Sequence, residues 1–302
     1  MKLSVVVPCY NEAVNVSEFE SELSKALLKE KITYEIIFID DGSTDDTYSK
    51  LSSLNKANKN VKVIRFSRNF GKESAMLAGL KNASGSYVAI MDADLQHTPE
   101  MLVLMYKKLI NDDSFDCCCA YKSNREDEGS LKRTLTSLFY KINNKISDVK
   151  LLPGASDFRV FKKSVCDAIT SLDEKTRFLK GMFSWVGFNT IYVPYMPEKR
   201  MYGTSKWSLF KLLKYSLGGI ISFSTKPIKS VFIIGVVALI VGLLNFILMG
   251  NLANRTIILF ISFIMLQLGI ISLYVSRIYS NILNRPCYII KEKLGFNDKR
   301  SK

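Results

Sequence analysis

At 302 residues, 48% of them hydrophobic, the chain is long enough for a full-sized core, in one large domain or two modest ones. The net charge of +14 raises nucleic acid as a partner, but the basic residues crowd around two uncharged apolar runs near the carboxyl end, which argues against nucleic acid and for a membrane surface. Six cysteines with no CxxC spacing, three of them adjacent at Cys117 to Cys119, give neither a disulfide framework nor a zinc site and suit a reducing compartment.

Leu3 to Pro8, LSVVVP, is a β-branched run that stops at a proline, as a parallel strand covered on both faces would. It is also too short and too strand-like for a secretory signal. The polar turn Cys9-Tyr10-Asn11-Glu12 follows, and Val14 to Lys29 has helical spacing. The cycle repeats with a strand at Tyr34 to Ile39, a turn at Asp40 to Asp45, a helix at Thr47 to Leu54, a strand at Val61 to Phe66 and a helix at Lys72 to Leu80. Alternating β and α units predict a doubly wound sheet, whose ligands sit outside the carboxyl ends of its strands. Those ends carry Asn11 and Glu12, Asp40 and Asp41, Arg68 and Asn69, and Asp92 and Asp94.

The first turn, PCYNEA, lacks the G-x-G-x-x-G of a dinucleotide fold, and no Walker phosphate loop is present. The second turn, DDGSTD, offers carboxylates to a base or ribose, or serves as a helix cap. The fourth strand, Tyr87 to Met91, ends in Asp92-Ala93-Asp94, and period-2 alternation aims both carboxylates the same way. Two hard oxygen ligands side by side suit Mg²⁺ or Mn²⁺ completed by substrate phosphates; the alternative is an acidic turn and cap before the Pro99 helix. His97, the only histidine, is a capping or packing residue or takes a direct part.

Leu131 to Ile146 and Trp207 to Phe223 are amphipathic, with Lys and Arg off the apolar face, fit either for the plane of a membrane interface or for core packing. Ser230 to Gly250 and Thr256 to Ser276 each run about 21 residues without a charge, enough for a membrane hairpin, with a pair of core helices as the alternative. The flanking lysines and arginines put both ends of the hairpin in the cytoplasm and Asn251 to Arg255 outside. The expected division is a catalytic domain over 1–225 with interface helices near 130–147 and 205–223, a hairpin over 229–277, and a basic tail over 278–302.

In their order and spacing, VVVPCYNEA, FIDDGSTDDT, RNFGKESAMLAGL and MDADLQHTPE resemble the family-2 inverting glycosyltransferases of GT-A fold. SDFRVF, RFLKGMFSWVGF and EKRMYGTSKWSLFKLLKYSLGGI extend the likeness to polyprenyl-phosphate glycosyltransferases, including dolichyl-phosphate mannose synthases and two-span bactoprenol glucosyltransferases. The resemblance implies a GT-A Rossmann-like, mostly parallel sheet with helices on both faces, followed by interface helices and the transmembrane hairpin. It implies that Pro8, Tyr10, Asn11, Glu12, Asp40 and Asp41 hold the nucleoside, that Lys72 lies near the diphosphate, and that Asp92, Asp94 and Gln96 hold donor and metal. Asp94 is then the direct metal ligand and a catalytic residue.

A phosphate-monoester acceptor has a second pKa of about 6 and needs cations rather than a strong base. Candidates are Arg125, Arg133, Arg159, Arg200 and Lys206; family position favours Arg133 and Arg200, the latter also catalytic, with lipid-headgroup contact as the alternative. Asp157 orients the acceptor phosphate or its cation, positions the donor sugar, or forms a plain ion pair. The implied activity moves a hexose or N-acetylhexosamine from a nucleotide sugar, UDP-linked being favoured, to undecaprenyl phosphate at a bacterial cell membrane, in a homo-oligomer for which a tetramer is plausible. The rivals are a processive polysaccharide synthase, whose Q-x-x-R-W motif is missing, and a non-catalytic nucleotide-sugar-binding scaffold.

Overall fold

The structure, a computed structural model, describes residues 2–122, 130–175, 177–196, 218–248 and 253–296. The chain opens with β1 (Lys2–Cys9), α1 (Val16–Lys29), β2 (Thr33–Asp40), α2 (Thr47–Ala57), β3 (Val61–Phe66), α3 (Lys72–Asn82) and β4 (Tyr87–Ile90). It continues through α4 (Pro99–Asn111), β5 (Cys117–Lys122), α5 (Ser130–Ile146), β6 (Ala155–Lys162), α6 (Lys163–Ser171), α7 (Leu179–Trp185) and β7 (Thr190–Tyr195). Two long helices, α8 (Lys226–Leu248) and α9 (Ala253–Ile282), precede a last strand, β8 (Ile290–Leu294).

All eight strands form one sheet in the order β7-β5-β6-β4-β1-β2-β3-β8. β4, β1, β2 and β3 are parallel, as the repeating β and α units require. Alternation within each buried strand feeds two cores. Leu3, Val5 and Val7 of β1 pack with Phe19 and Leu23 of α1 and Leu102 of α4 on one face, while Val6 packs with Ala75 and Met76 of α3 and Met182 of α7 on the other. Cys117, Cys118 and Cys119 are buried side chains of β5, and burial pushes the Cys117 and Cys118 thiols up to about 12, leaving them inert.

Two strands, β6 and β8, run antiparallel to the parallel block they border. β6 pairs with β4 so that Ile90 lies opposite Arg159, which carries the amino end of β6 to the carboxyl end of β4. β8 pairs with β3, Ile64 opposite Lys293 and Arg65 opposite Glu292. Part of the segment expected to be a basic tail is therefore a sheet strand. The physical reason is side-chain fit: Tyr288 stacks on Phe66 with ring centroids 5.0 Å apart, and the Lys62 ammonium lies 5.0 Å from the Phe296 ring.

α8 and α9 lie antiparallel. Gln267 donates to the Val231 carbonyl at 3.2 Å, and the Tyr274 hydroxyl to the Ser224 carbonyl at 2.8 Å. At the base of the pair Arg277 lies 3.6 Å from Glu174. The carboxyl end of α5 is stitched to the start of α8, with the Asp148 N–H and the Ser147 hydroxyl both donating to the Phe223 carbonyl. α5 leaves Leu138 and Ile142, one turn apart, exposed beside exposed Lys141 and Lys145, while Phe139 and Tyr140 pack on the core. Phe263–Ile282, a 20-residue stretch with none of its window buried, is long and apolar enough to cross a membrane.

Candidate functional site

The first turn is built on the second. Asn11, held at a left-handed φ of 54°, accepts the Thr44 N–H at 2.9 Å and donates its own N–H to the Ser43 hydroxyl at 3.0 Å. Glu12 donates its N–H to the Thr47 hydroxyl at 2.8 Å and accepts from Asn15 at 2.7 Å. Gly42, at φ +65°, is required twice over, because a side chain there would also strike the backbone of Arg68 and Asn69. Tyr10, Asn11 and Glu12 are left at least partly exposed, as is Pro8.

The acidic turn divides its labour. Asp45 accepts from the Thr47 N–H at 3.1 Å and from the Ala13 N–H at 3.2 Å, so capping of α2 falls to it. Asp40 is fully buried; one oxygen accepts the Ser43 N–H at 2.9 Å, and the other lies 3.5 Å from Arg65 Nε with no hydrogen-bond donor among the described residues. Arg65 in turn lies over the Tyr48 ring at 4.0 Å. Asp41 is the other acid of this turn expected at the nucleoside. It is buried, and its carboxylate is committed to the backbone N–H groups of Phe70 at 2.7 Å and Gly71 at 2.9 Å. Burial outweighs those bonds and raises its pKa to about 6.

Beyond Ile90 the chain leaves the strand, so Asp92 and Asp94 sit in a turn rather than on the expected strand extension. Alternation survives nevertheless: Met91, Ala93, Leu95 and His97 are buried, whereas Asp92, Asp94 and Gln96 between them are partly exposed. The helix cap is elsewhere, since Thr98 accepts the Met101 N–H at 3.3 Å with Pro99 behind it. Asp94 accepts the Gln96 N–H at 3.2 Å.

Lys72, the first residue of α3, places its ammonium 2.7 Å from Asp92 Oδ1 and 3.1 Å from Asp157 Oδ2. Asp157 arrives from the amino end of β6, and its other oxygen faces Lys180 at 4.0 Å. Burial opposes ionisation of Asp157, but Lys72, Lys180 and Arg159 outweigh it and hold the carboxyl far below its usual range. Lys180 also donates to the Ala155 carbonyl at 3.0 Å. It belongs to the RFLKG stretch, yet nothing in spacing alone marked it, because β6 and α7 meet only through the tertiary fold.

His97 is a packing residue. Its ring is buried against Phe158 at 4.6 Å, and Nε2 meets the Tyr195 hydroxyl at 3.1 Å. Burial lowers its pKa and keeps it neutral. Tyr195, the last residue of β7, is a second member that sequence reasoning missed. Arg159, one of the cations expected at the acceptor, is 6% exposed, lies over the Phe183 ring at 4.3 Å and donates from Nε to the Ser156 carbonyl at 3.3 Å. Arg133 falls on α5, but its side chain lies outside the described residues, as do Arg125, Arg200 and Lys206.

The donor set fits a divalent cation completed by phosphates. Asp92 and Asp94 present carboxylates at the mouth of the sheet, the Lys72 ammonium lies beside Asp92, and no cage of three His, Cys, Asp or Glu exists among the described residues. A surface groove of about 540 Å³ between α1 and α4, lined by Ala26, Val103, Leu104 and Lys107 among others, shares no residue with this cluster.

Residues 4–170 match the family model for glycosyl transferase family 2. The SfII prophage-derived bactoprenol glucosyl transferase of Shigella flexneri is 36% identical over 97% of this chain and 98% of its own. The prophage bactoprenol glucosyl transferase homolog of Escherichia coli K12 is 36% identical over 96% of this chain and 99% of its own. Among solved structures, glucosyl-3-phosphoglycerate synthase from Mycobacterium tuberculosis, in complex with Mn²⁺, UDP-glucose and phosphoglyceric acid, superposes with a TM-score of 0.51 at 18% identity, covering 73% of this chain and 77% of that one. That likeness is one of fold.

Proposed function

Because this chain belongs to glycosyl transferase family 2 and is an enzyme of the transferase class with a GT-A fold, we propose that it transfers a hexose or N-acetylhexosamine from a UDP-linked donor to a polyprenyl phosphate such as undecaprenyl phosphate, inverting the anomeric carbon. The observation that carries this reading is the near full-length likeness to the Shigella flexneri protein, whose name supplies a bactoprenol acceptor and a glucosyl group. The product is a lipid-linked sugar, an activated donor for cell-envelope glycan modification.

In the reaction an oxygen of the acceptor phosphate attacks the anomeric carbon, the bond from that carbon to the diphosphate breaks, and nucleoside diphosphate departs. The acceptor is already anionic at neutral pH, so no residue need remove a proton from it. Asp157 is suited to this economy: held ionised by Lys72 and Lys180, it is a poor base and a good positioner of two ammonium groups. Asp92 and Asp94, with Gln96 beside them, would hold Mg²⁺ or Mn²⁺, which when bound offsets charge on the departing diphosphate. Tyr10, Asn11, Glu12 and Pro8 line the nucleoside side, with the unsatisfied oxygen of Asp40 behind them. Arg125, Arg133, Arg200 and Lys206 are the acceptor-side cations of the proposal.

We place the enzyme at a bacterial cell membrane, as a homo-oligomer such as a tetramer, with its sheet and carboxyl terminus cytoplasmic. Support comes from chain topology. β7 and β8 belong to one sheet, so the chain that leaves through α8 must come back through α9, and both helices cross or neither does. α8 exposes Phe232, Ile233, Val237 and Ile240, and α9 exposes Ile264, Met265 and Leu268, apolar surface that lipid would cover. The exposed Leu138 and Ile142 of α5 suit the interface plane.

The deciding experiment incubates the purified full-length protein with Mg²⁺, undecaprenyl phosphate and a panel of UDP and GDP sugars, and weighs the organic-phase product. A mass of one sugar added to the lipid phosphate is the expected result. Tight UDP-sugar binding with no lipid product from any acceptor would overturn the proposal.

A further inference from the structure

We propose that Lys72 is the resting counter-ion of the donor site: with no nucleotide bound, its ammonium bridges Asp92 and Asp157, so that a divalent cation reaches Asp92 only as an incoming diphosphate draws the lysine away. This rests on the donor-site reading given under Proposed function and adds an order of events to it.

The geometry carries the argument. Lys72 Nζ lies 2.7 Å and 2.8 Å from the two oxygens of Asp92 and 3.1 Å from Asp157. A divalent cation bound to Asp92 needs a metal–oxygen distance of about 2.0–2.1 Å, within the shell the ammonium now fills. With the ammonium this close to both oxygens, a divalent cation on either one would meet a like charge within a few ångströms, which opposes its binding until the ammonium moves. The lysine also stands where a helix does not want it, since a cation in the first turn opposes the helix dipole. Its placement answers to the carboxylates and not to α3.

The base of the side chain is fixed, and among the described residues its end is held by the two carboxylates alone. The residues immediately before it, Phe70 and Gly71, are pinned by their N–H groups to Asp41 at 2.7 Å and 2.9 Å. From that anchor a flexible four-carbon stem carries the ammonium, able to exchange one anion for another. Asp157 is the partner it keeps. That carboxylate already holds the lysine on one oxygen and faces Lys180 on the other, so release from Asp92 leaves Lys72 aimed at the diphosphate rather than loose in solvent. Without Lys72, the carboxylates of Asp92, Asp94 and Asp157 would face the site with Lys180 the nearest described ammonium, 4.0 Å from Asp157.

The test is direct Mn²⁺ binding to the full-length protein, followed by electron paramagnetic resonance with and without UDP, for wild type, Lys72→Met and Lys72→Arg. Diphosphate oxygens tighten Mn²⁺ in any variant, so the decisive comparison is made without UDP. K72M is expected to bind Mn²⁺ alone at least tenfold more tightly than wild type, with a correspondingly smaller gain on adding UDP, and K72R to behave as wild type. Equal Mn²⁺ affinity of wild type and K72M without UDP, while UDP still tightens both, overturns the counter-ion role and leaves the donor site standing. Absence of Mn²⁺ binding in wild type with UDP present overturns the donor-site reading itself. If K72M does not fold, as judged by circular dichroism, Lys72→Gln takes its place in the comparison without UDP: at least tenfold tighter Mn²⁺ binding than wild type supports the proposal, and equal binding sinks it.

Discussion

Asp41 Oδ2 accepts the Gly71 N–H at 2.9 Å, which ties the end of β2 to the loop that launches Lys72. Its other oxygen takes the Phe70 N–H at 2.7 Å, so one carboxylate satisfies two backbone donors of that loop. Asp41→Ala removes both acceptors and is expected to cost about 1–3 kcal/mol of stability. UDP affinity should fall with it, because the lysine loses its fixed base. Chemical denaturation and calorimetric UDP titration check the two parts separately, and a variant matching wild type in both would show the loop to be held by other means.

Two buried carboxylates give stability opposite slopes with pH. Burial raises Glu35, but bonds from Lys62, Ser4, the Ser84 N–H and Lys2 outweigh it and lower its pKa from 4.5 to about 2. Its contribution is present above pH 4.5 and lost as pH falls through about 2; from that shift it amounts to about 3 kcal/mol. Asp41, raised from 3.8 to about 6, contributes below pH 3.8 and loses that contribution as pH rises through about 6. Glu35→Gln should therefore flatten the acid side of a stability-against-pH curve and leave the slope between pH 4 and 6 in place.

Asp94→Asn is expected to lower turnover by about two to three orders of magnitude with the fold intact. UDP binding measured without metal should be near that of wild type. Normal turnover in this variant would remove Asp94 from the metal assignment.

Removing residues 286–302 takes away β8 and with it the Tyr288 stack on Phe66. The freed edge of β3 is expected to lower the denaturation midpoint and to promote association between copies. Size-exclusion profiles and melting curves of the detergent-solubilised truncation provide the check. An unchanged melt would mean that the strand adds nothing to the sheet.

A cysteine introduced at Asn251 should react with an impermeant maleimide added outside intact cells, whereas one at Lys299 should react only after lysis. Labelling of both from outside would be incompatible with a hairpin whose two ends share the side of the sheet. The native cysteines offer little background, since Cys9, Cys117, Cys118, Cys119 and Cys166 are buried and only Cys287 is partly open.

The alternation of β-branched runs with helical spacing made the parallel half of the sheet legible, because each of those elements is decided by its own residues. β3 falls at Val61–Phe66 as its sequence pattern predicts. Asp92 and Asp94 were legible as a pair for a local reason too, the burial of Ala93 between them. What escaped were side chains whose roles depend on distant partners. The bonds from the Phe70 and Gly71 N–H groups to Asp41 and the Phe183 ring under Arg159 could not be read from spacing, because each partner lies far along the chain. Lys180 and Tyr195 reach the cluster only because antiparallel β6 and the crossover to β7 bring them there. The mean charge of residues 278–302 concealed a strand whose fit to β3 rests on Tyr288, Ile290 and Leu294.

The position of β8 sets an order of assembly during synthesis. β3 and its partner strand are far apart in the chain, Val63 opposite Leu294, with most other elements made between them. The ribosome makes β8 after α8 and α9, so the growing enzyme carries an unpaired β3 edge until both helices have emerged. Pairing β3 with β8 covers that edge, and a chain stalled before residue 290 waits with it open to chaperones or to a neighbouring copy.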